Sequence, residues 1–352
     1  MHITNGTIIP ATTWRAADGG VKDTNGNLVP SSMWNECVDN QATTAVSNDS
    51  LSYDKRCIFL GYFVVSCYGH VITDNLRKLW FLNTDYCKKL LALGYEIVYI
   101  TQANETVPSY MEELFAFAGC DIKQCRQITE SENFDDVVVP DSCLFYKNGS
   151  LFYTQEYVWT IDRIKYSVEE RYADVKIKPK IYYTRRCIKN KRVPEYNEQS
   201  IENEFCKAGY EIIAPETLSV GECIYYAMKC SFFAASEGSV SHNILFCNKN
   251  AQCVVLKKAD YMNSYSTMVD DVIGCKVEYV KAHHSSCVNR NETWNGPFFF
   301  CVTPQLEAYF GHKIQHKPYF LHMSYWKMRL EANRIYRKCR KIFRKLCHLV
   351  LF

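Results

Sequence analysis

The feature that most constrains the fold is a regular alternation of strand-like and helix-like segments between residues 180 and 257. Short apolar runs (KIYYTRR, YEIIAP, SFFAAS, QCVVLK) alternate with segments of helical periodicity (EQSIENEFCKAG, VGECIYYAMKC, SVSHNILFC). Strands separated by single helices are typical of a parallel sheet with both faces covered. Because ligands bind such sheets at the carboxyl ends of the strands, functional residues are expected there.

A second alternation occupies the first half of the chain. CIFLGYFVVSC, YEIVYI and DDVVV are predicted strands, and HVITDNLRKLWFL is a predicted helix. SYMEELFAFAG is predicted to be a helix that begins at Ser109 and ends at Gly119, and another helix is expected near residues 157–172. A chain of 352 residues with 47% apolar composition is longer than a single core usually grows, so two α/β domains are predicted.

The composition shifts along the chain give the predicted boundaries. Residues 1–50 are polar and turn-rich, and are predicted to be an irregular segment with at most one hairpin. The predicted parts that follow are an N-terminal α/β domain at 51–177, a C-terminal α/β domain at 178–285, a return segment at 286–325 and a basic amphipathic helix at 326–352.

The basic charge is concentrated in the last segment. Residues 326–352 hold nine Lys or Arg and one Glu, a net charge of +8, which leaves −5 on the rest of a chain whose total is +3. No nucleic-acid partner is therefore expected for the main body. Apolar residues recur every three or four positions in this segment, which predicts either an interfacial helix on anionic lipid or a final helix packed on the body.

Cysteine usage and the N-terminus bear on the compartment. The eighteen cysteines are scattered singly, and the first residues, MHITNGTIIP, lack a basic and apolar leader. Reduced thiols and a cytoplasmic protein are expected, peripheral on the inner membrane face if the basic helix binds lipid. No CxxC occurs and no run of eighteen apolar residues exists, so neither a structural metal nor a membrane span is predicted.

The stretch YGHVITDNLRKLW places two titratable groups at the end of a predicted strand. His70 and Asp74 are four residues apart, so on a helix they share one face and can hydrogen-bond to each other. One or both can serve as a general base. The alternative is a helix N-terminal pair that caps and interacts with the helix dipole.

Two candidate anion-binding segments follow predicted strands in the second half of the chain. Arg185 and Arg186 come directly after KIYYT, and guanidinium groups suit phosphate oxygens. Glu237, Gly238 and Ser239 lie between SFFAAS and a predicted helix, whose N-terminus would favour an anion. Each feature alone has an interpretation without a ligand: a solvated basic loop for the arginine pair, and a capped turn for the segment after SFFAAS. Together the two features favour a diphosphate ligand.

Two motifs are absent from the sequence. No DxD motif occurs, so the common carboxylate arrangement for holding a divalent ion against a nucleotide diphosphate is missing, and metal-independent chemistry is favoured. No GxGxxG occurs, which argues against a dinucleotide enzyme of the usual type. No cofactor is therefore expected.

Four motifs in order resemble glycosyltransferase family 61. They are Gly69-His70-x3-Asp74-x-Leu76-x2-Leu79-Trp80, then Tyr183-Thr184-Arg185-Arg186, then Leu218-Ser219-x2-Glu222, then Gly238-Ser239-x3-Asn243-x2-Phe246. The family's first motif resembles GHxxxDxLxRLW, its second SRR or TRR, and its last HGAxLTNxxF. The resemblance covers about residues 55–285, roughly two thirds of the chain.

The resemblance implies an α/β fold of the GT-B type, with two Rossmann-like domains facing each other across a cleft. It implies inverting transfer of a hexosyl or pentosyl group from a nucleotide sugar, with a UDP-sugar the first expectation, to a glycan or lipid-linked glycan of a surface or capsular polysaccharide. Asp74, with His70 as its rival, matches the general base. The positions that match donor-binding residues are Arg185, Arg186, Glu222, Gly238, Ser239 and Asn243.

Two positions depart from the family's pattern. Glu237 stands where the family often has His, and His242 stands where it has Thr. Glu237 would repel a diphosphate unless it turns toward a sugar hydroxyl, and His242 is expected to take over the contact to the donor. Two alternatives to a transferase stay open: a catalytically inactive, membrane-associated binding or scaffold protein on the same fold, and a nucleotide-sugar epimerase.

Overall fold

A computed structural model describes residues 1–12, 18–34, 55–147, 150–188, 191, 194–260, 262–283 and 298–316, and scattered positions between 321 and 340. The described part of the first half of the chain contains eight strands and four α-helices. In chain order they are β1 (His2–Ile9), β2 (Gly20–Lys22), β3 (Arg56–Phe63), α1 (Tyr68–Ile72), α2 (Asp85–Ala92), β4 (Glu96–Thr101), α3 (Ser109–Phe117), β5 (Arg126–Gln127), β6 (Glu132–Val138), β7 (Leu144–Lys147), β8 (Ser150–Tyr153) and α4 (Gln155–Tyr172).

The described residues from 180 to 316 contain seven strands and four α-helices. They are β9 (Lys180–Tyr183), β10 (Glu195–Tyr196), α5 (Glu198–Lys207), β11 (Glu211–Ile213), α6 (Val220–Lys229), β12 (Phe232–Ser236), β13 (Gln252–Lys257), α7 (Ser264–Ile273), β14 (Lys276–Lys281), β15 (Phe298–Phe299) and α8 (Pro304–Phe310). The alternation predicted from the sequence is therefore confirmed, and the protein is a mixed α/β protein.

Two sheets organise the molecule. The first has six strands in the order β2-β1-β6-β3-β4-β5, in which β3 to β6 run parallel and β1 is antiparallel to both of its neighbours. The second has five strands, all parallel, in the order β11-β9-β12-β13-β14. The pair β7-β8 forms a separate antiparallel hairpin, and β10 pairs with β15.

Strand residues alternate between two apolar layers, as the two-residue period of a strand requires. In β9, Ile181 and Tyr183 face one layer and Tyr182 faces the other. The first of these layers also contains Leu60 of β3 and residues of α3, α4 and α6, so one continuous core joins the two sheets. Outer layers cover the far face of each sheet. The open cleft of a GT-B arrangement stays a prediction.

Several local predictions were wrong in detail. The segment HVITDNLRKLWFL is not one helix: α1 has five residues and is followed by 3-10 turns at Asp74–Leu76 and Leu79–Asn83. The segment after β12 is a 3-10 helix at Ser241–Phe246 instead of an α-helix. The predicted amphipathic helices would each have one face in solvent. Most side chains of both segments are instead buried, so the segments do not have this arrangement.

The N-terminal segment is more regular than predicted, and the predicted C-terminal helix stays a prediction. The first nine residues are not irregular, because β1 pairs with both β2 and β6 inside the first sheet. Most positions of the predicted helix at 326–352 lie outside the described residues; Met328 and Ile335, which are described, are helical and exposed. Among the helices that are described, none is long and apolar enough to cross a membrane.

Candidate active site

The segment after β3 is held in place by polar contacts to the strand end. The side chain of Asn75 accepts from the Val64 N–H and donates to the Val64 carbonyl, both at 3.1 Å. The Thr73 hydroxyl lies 2.7 Å from the Gly69 carbonyl oxygen. These contacts pair backbone groups at the end of β3 and in α1, and they fix the position of the segment that carries His70 and Asp74.

His70 and Asp74 form the hydrogen bond that their spacing predicts. Nδ1 of His70 donates to Oδ2 of Asp74 at 2.8 Å, and the hydroxyl of Tyr265 donates to Oδ1 at 2.8 Å. The Asp74 side chain is 7% exposed, whereas that of His70 is 22% exposed. Burial raises the pKa of the Asp74 carboxyl, but the hydrogen bonds and the charges of His70 and Arg77 outweigh it, so the pKa lies below its usual value.

Tyr265 was not found by the sequence analysis. It lies in the first turn of α7, which begins after the N-cap Asn263. Its ring stacks on His242 with centroids 5.7 Å apart and meets the edge of His70 at 5.8 Å. The capping residue predicts that a helix begins here. Nothing in the sequence indicates that its first turn reaches an aspartate 191 positions away.

His242 is buried without a hydrogen-bond partner. Neither ring nitrogen has one among the residues that the structure describes, and the residue is only 7% exposed. Burial is the main reason why the pKa of His242 is lowered to about 4. The neighbouring His70 also lowers this pKa, and Asp74 raises it by less. An imidazole that is neutral, buried and unpaired is an unsatisfied polar group next to the His70–Asp74 pair.

The loop after β12 packs directly against α1. A Cβ atom at Gly69 would lie 2.8 Å from the Ser239 hydroxyl oxygen and 3.3 Å from Nδ1 of His242, so only glycine allows this approach. Gly238 has a φ of +125°, which also favours glycine. The Asn243 amide accepts from the Tyr68 hydroxyl at 2.9 Å and donates to the Val240 carbonyl, so it joins the two motifs.

The two predicted phosphate-binding arginines are each paired with a buried glutamate. Nε of Arg185 donates to Glu195 at 3.1 Å, and Nε of Arg186 donates to Glu202 at 2.9 Å. Both glutamates come from the segment that leads into and forms α5. Neither arginine has a further side-chain hydrogen bond in the described part of the chain, so the Nη groups keep their donors.

Two more cations lie in this network, and the sequence analysis did not assign either to the site. Nζ of Lys258, directly after β13, donates to Glu195 at 2.6 Å, and Lys191 lies 3.3 Å from the same carboxylate. Burial raises the pKa of Glu195, but Lys258 and Arg185 together lower it to about 2. The cluster was hidden from sequence reasoning because its carboxylates come from residues that read as a solvated loop and helix.

Two of the predicted donor-binding carboxylates have other contacts. Glu222 completes a capping box: its Oε2 accepts from the Ser219 N–H at 2.8 Å, and the Ser219 hydroxyl accepts from the Glu222 N–H. Oε2 of Glu237 accepts from the backbone N–H of Lys258 at 3.3 Å, and burial raises the pKa of Glu237. Glu237 is therefore buried against the backbone that directly follows β13.

The model of the family described as Glycosyltransferase 61 matches residues 68–255, which is more than half of the chain. The chain belongs to glycosyltransferase family 61. The family's range begins at Tyr68 and contains His70, Asp74 and the arginine pair, and it ends before Lys258 and Tyr265. No curated protein matches this member of family 61.

Proposed function

We propose that this family 61 glycosyltransferase catalyses inverting, metal-independent transfer of a sugar from a nucleotide sugar to a hydroxyl of a surface glycan, with His70 as the general base. One observation carries the choice of base. Both oxygens of Asp74 already accept a hydrogen bond, and its side chain is the more deeply buried of the pair. A base must reach the acceptor hydroxyl, and the more exposed His70 is better placed to do so.

The chemistry follows from the hydrogen bond between the two side chains. An ionised carboxylate only accepts, so Nδ1 of His70 carries a proton, and in the neutral form that a general base requires, Nε2 accepts. As the acceptor oxygen attacks the anomeric carbon, its proton moves to Nε2, and the bond from that carbon to the diphosphate breaks with its electron pair. Asp74 then stabilises the imidazolium, in the manner of the aspartate in a hydrolase triad.

The donor side of the proposal relies on the strand ends of the second sheet. Arg185, Arg186 and the Gly238 loop lie at the carboxyl edge, where ligands of parallel sheets bind. Cationic donors in a partly buried place stabilise the charge on a leaving diphosphate without a metal ion. Metal independence itself is supported by the absence of a DxD motif from the sequence.

Replacement of His70 tests the assignment. We expect His70→Ala to lower kcat by about 10²-fold to 10⁴-fold, the usual contribution of a general base, with the donor affinity retained. Added imidazole should restore part of the rate, because the vacated space admits the missing base. Transfer is measured with a panel of UDP-, GDP- and CMP-sugars in EDTA, and the anomeric configuration of the product is read by NMR.

The matched control is His312→Ala, since His312 lies on the outer face of the second sheet and contacts Glu204. A loss of transfer activity in Asp74→Asn with no loss in His70→Ala would assign the base to Asp74 instead. A retained anomeric configuration would overturn the inverting mechanism. Reactions without acceptor separate an epimerase, which would convert the donor sugar.

The inactive scaffold is a second candidate because each predicted phosphate-binding arginine is already paired with a buried glutamate. It predicts no donor affinity in the same panel.

Attachment to anionic lipid is a further part of the proposal, supported by the net charge of +8 at 326–352 and by the exposed Met328 and Ile335. Vesicles that contain anionic lipid should co-sediment the protein, and neutral vesicles should not; equal binding to both would contradict it.

A further inference from the structure

Three cationic side chains meet at the carboxyl edge of the second sheet. The strands β9, β12 and β13 are neighbours and parallel, so their carboxyl ends emerge side by side. Arg185 follows β9 by two residues, Gly238 follows β12 by two, and Lys258 follows β13 directly. A Cβ atom at Gly238 would lie 3.5 Å from Nζ of Lys258, so this ammonium group is beside the glycine loop.

One buried carboxylate holds these cations together. Glu195 accepts from Nζ of Lys258 at 2.6 Å and from Nε of Arg185 at 3.1 Å, and Nζ of Lys191 lies 3.3 Å away. The Glu195 side chain is 1% exposed, against 10% for Lys258, 14% for Lys191 and 21% for Arg185. The carboxylate therefore lies deeper than the cations, and the cations lie between it and solvent.

The other carboxylates of the network are also deep. Glu198 is 2% exposed at its side chain and lies 3.8 Å from Nζ of Lys191, and Glu237 is 5% exposed and accepts from the Lys258 backbone. Counted as ionised groups, the three glutamates equal Lys258, Lys191 and Arg185 in number. Their depth nevertheless leaves a positive outer layer, and each cation keeps N–H donors beyond the one that Glu195 uses.

We propose that Lys258, together with Lys191 and Arg185, binds the diphosphate of the donor and stabilises the charge that it gains when the bond to the anomeric carbon breaks. Glu195 is the positioning residue that holds the three cations. The inference rests on the proposed function and adds two lysines to the site, of which Lys258 lies beyond the family's matched range. Fixed cations of this kind need no reorganisation as charge develops on the leaving group.

Inorganic pyrophosphate is the probe, because it carries the diphosphate chemistry without a base or a sugar. Binding is measured by calorimetry on the full chain in EDTA, with the melting temperature of each free variant as a folding check. We expect Lys258→Met and Lys191→Met each to weaken pyrophosphate binding by about 10-fold to 100-fold, the range for one charge-assisted hydrogen bond. Lys258→Arg, which keeps the charge, should retain more affinity than Lys258→Met.

The matched control is Lys229→Met, since Lys229 pairs with Glu169 at the end of α6, away from the carboxyl edge. Absence of pyrophosphate binding by the native protein, or wild-type affinity in both lysine variants, would overturn the inference. If Lys258→Met does not fold, Lys191→Met decides alone. If the protein transfers sugar but pyrophosphate binding does not depend on Lys258, this site is rejected and the proposed function stands. If pyrophosphate binding depends on Lys258 but no sugar is transferred to any acceptor, the site stands and the proposed function is rejected.

Discussion

Tyr265 connects the two halves of the site through a single hydroxyl. Its ring and its hydroxyl have separate neighbours, since the ring stacks on His242 and the hydroxyl donates to Asp74. A hydrogen bond to a carboxylate stabilises the ionised form and so lowers its pKa. The hydroxyl therefore helps to keep Asp74 charged and able to orient His70.

Tyr265→Phe removes the hydroxyl and keeps the ring. We expect kcat to fall by about tenfold with little change in KM, because the lost hydrogen bond acts through Asp74 and not on substrate. Without this hydrogen bond Asp74 loses a group that lowers its pKa, and the His70–Asp74 pair holds a proton more tightly, so the acidic limb of the rate profile should move to higher pH. The measurement is kcat against pH.

Tyr309→Phe is the control for this change, since the Tyr309 hydroxyl bonds to Tyr210 on the outer face of the second sheet. An acidic limb that stays in place in Tyr265→Phe would mean that the hydroxyl does not influence the ionisation of Asp74.

At the scale of elements, strands were the most predictable part of the fold. The apolar runs of β3, β4, β9, β12 and β13 are short, bounded by polar residues and buried on both faces, and each was predicted from the sequence. The helices with one solvated face, such as α5, were equally clear. Local periodicity is sufficient for such helices because one side of each meets water.

The elements that form the site were predicted less well. Residues 68–83 and 241–246 are buried on several sides and fold into short turns held by side-chain hydrogen bonds. The contact of His70 with Asp74 was still correctly predicted, because it is local in sequence. The contacts of Asp74 with Tyr265 and of Glu195 with Lys258 join distant segments, and no local pattern specifies them.

At the scale of the whole molecule, the buried His242 links stability to pH. The unfolded chain takes up a proton on this imidazole near pH 6.5, whereas the folded protein resists protonation down to about pH 4. As the pH falls through this window, the unfolded state gains a proton that the folded state does not. The free energy of unfolding should therefore decrease by up to about 3 kcal/mol from this group alone.

His242→Thr isolates this contribution. We expect the variant to lose less stability than the native protein between pH 6.5 and pH 4, because Thr does not titrate. Urea unfolding at a series of pH values gives the comparison, and the difference between the two proteins cancels the effects of other groups that they share. Parallel stability curves for the two proteins would show that His242 titrates normally in the folded state.

The helices α3, α4 and α6 lie between the two sheets and contribute side chains to one continuous core. A substitution on this layer therefore affects both halves of the protein together. In evolutionary terms, the halves are not exchangeable modules: a recombinant that takes its second sheet from a relative would have to inherit matching helices as well. Changes in sugar preference are then expected to accumulate in the loops at the strand ends, which can vary without disturbing the shared interior.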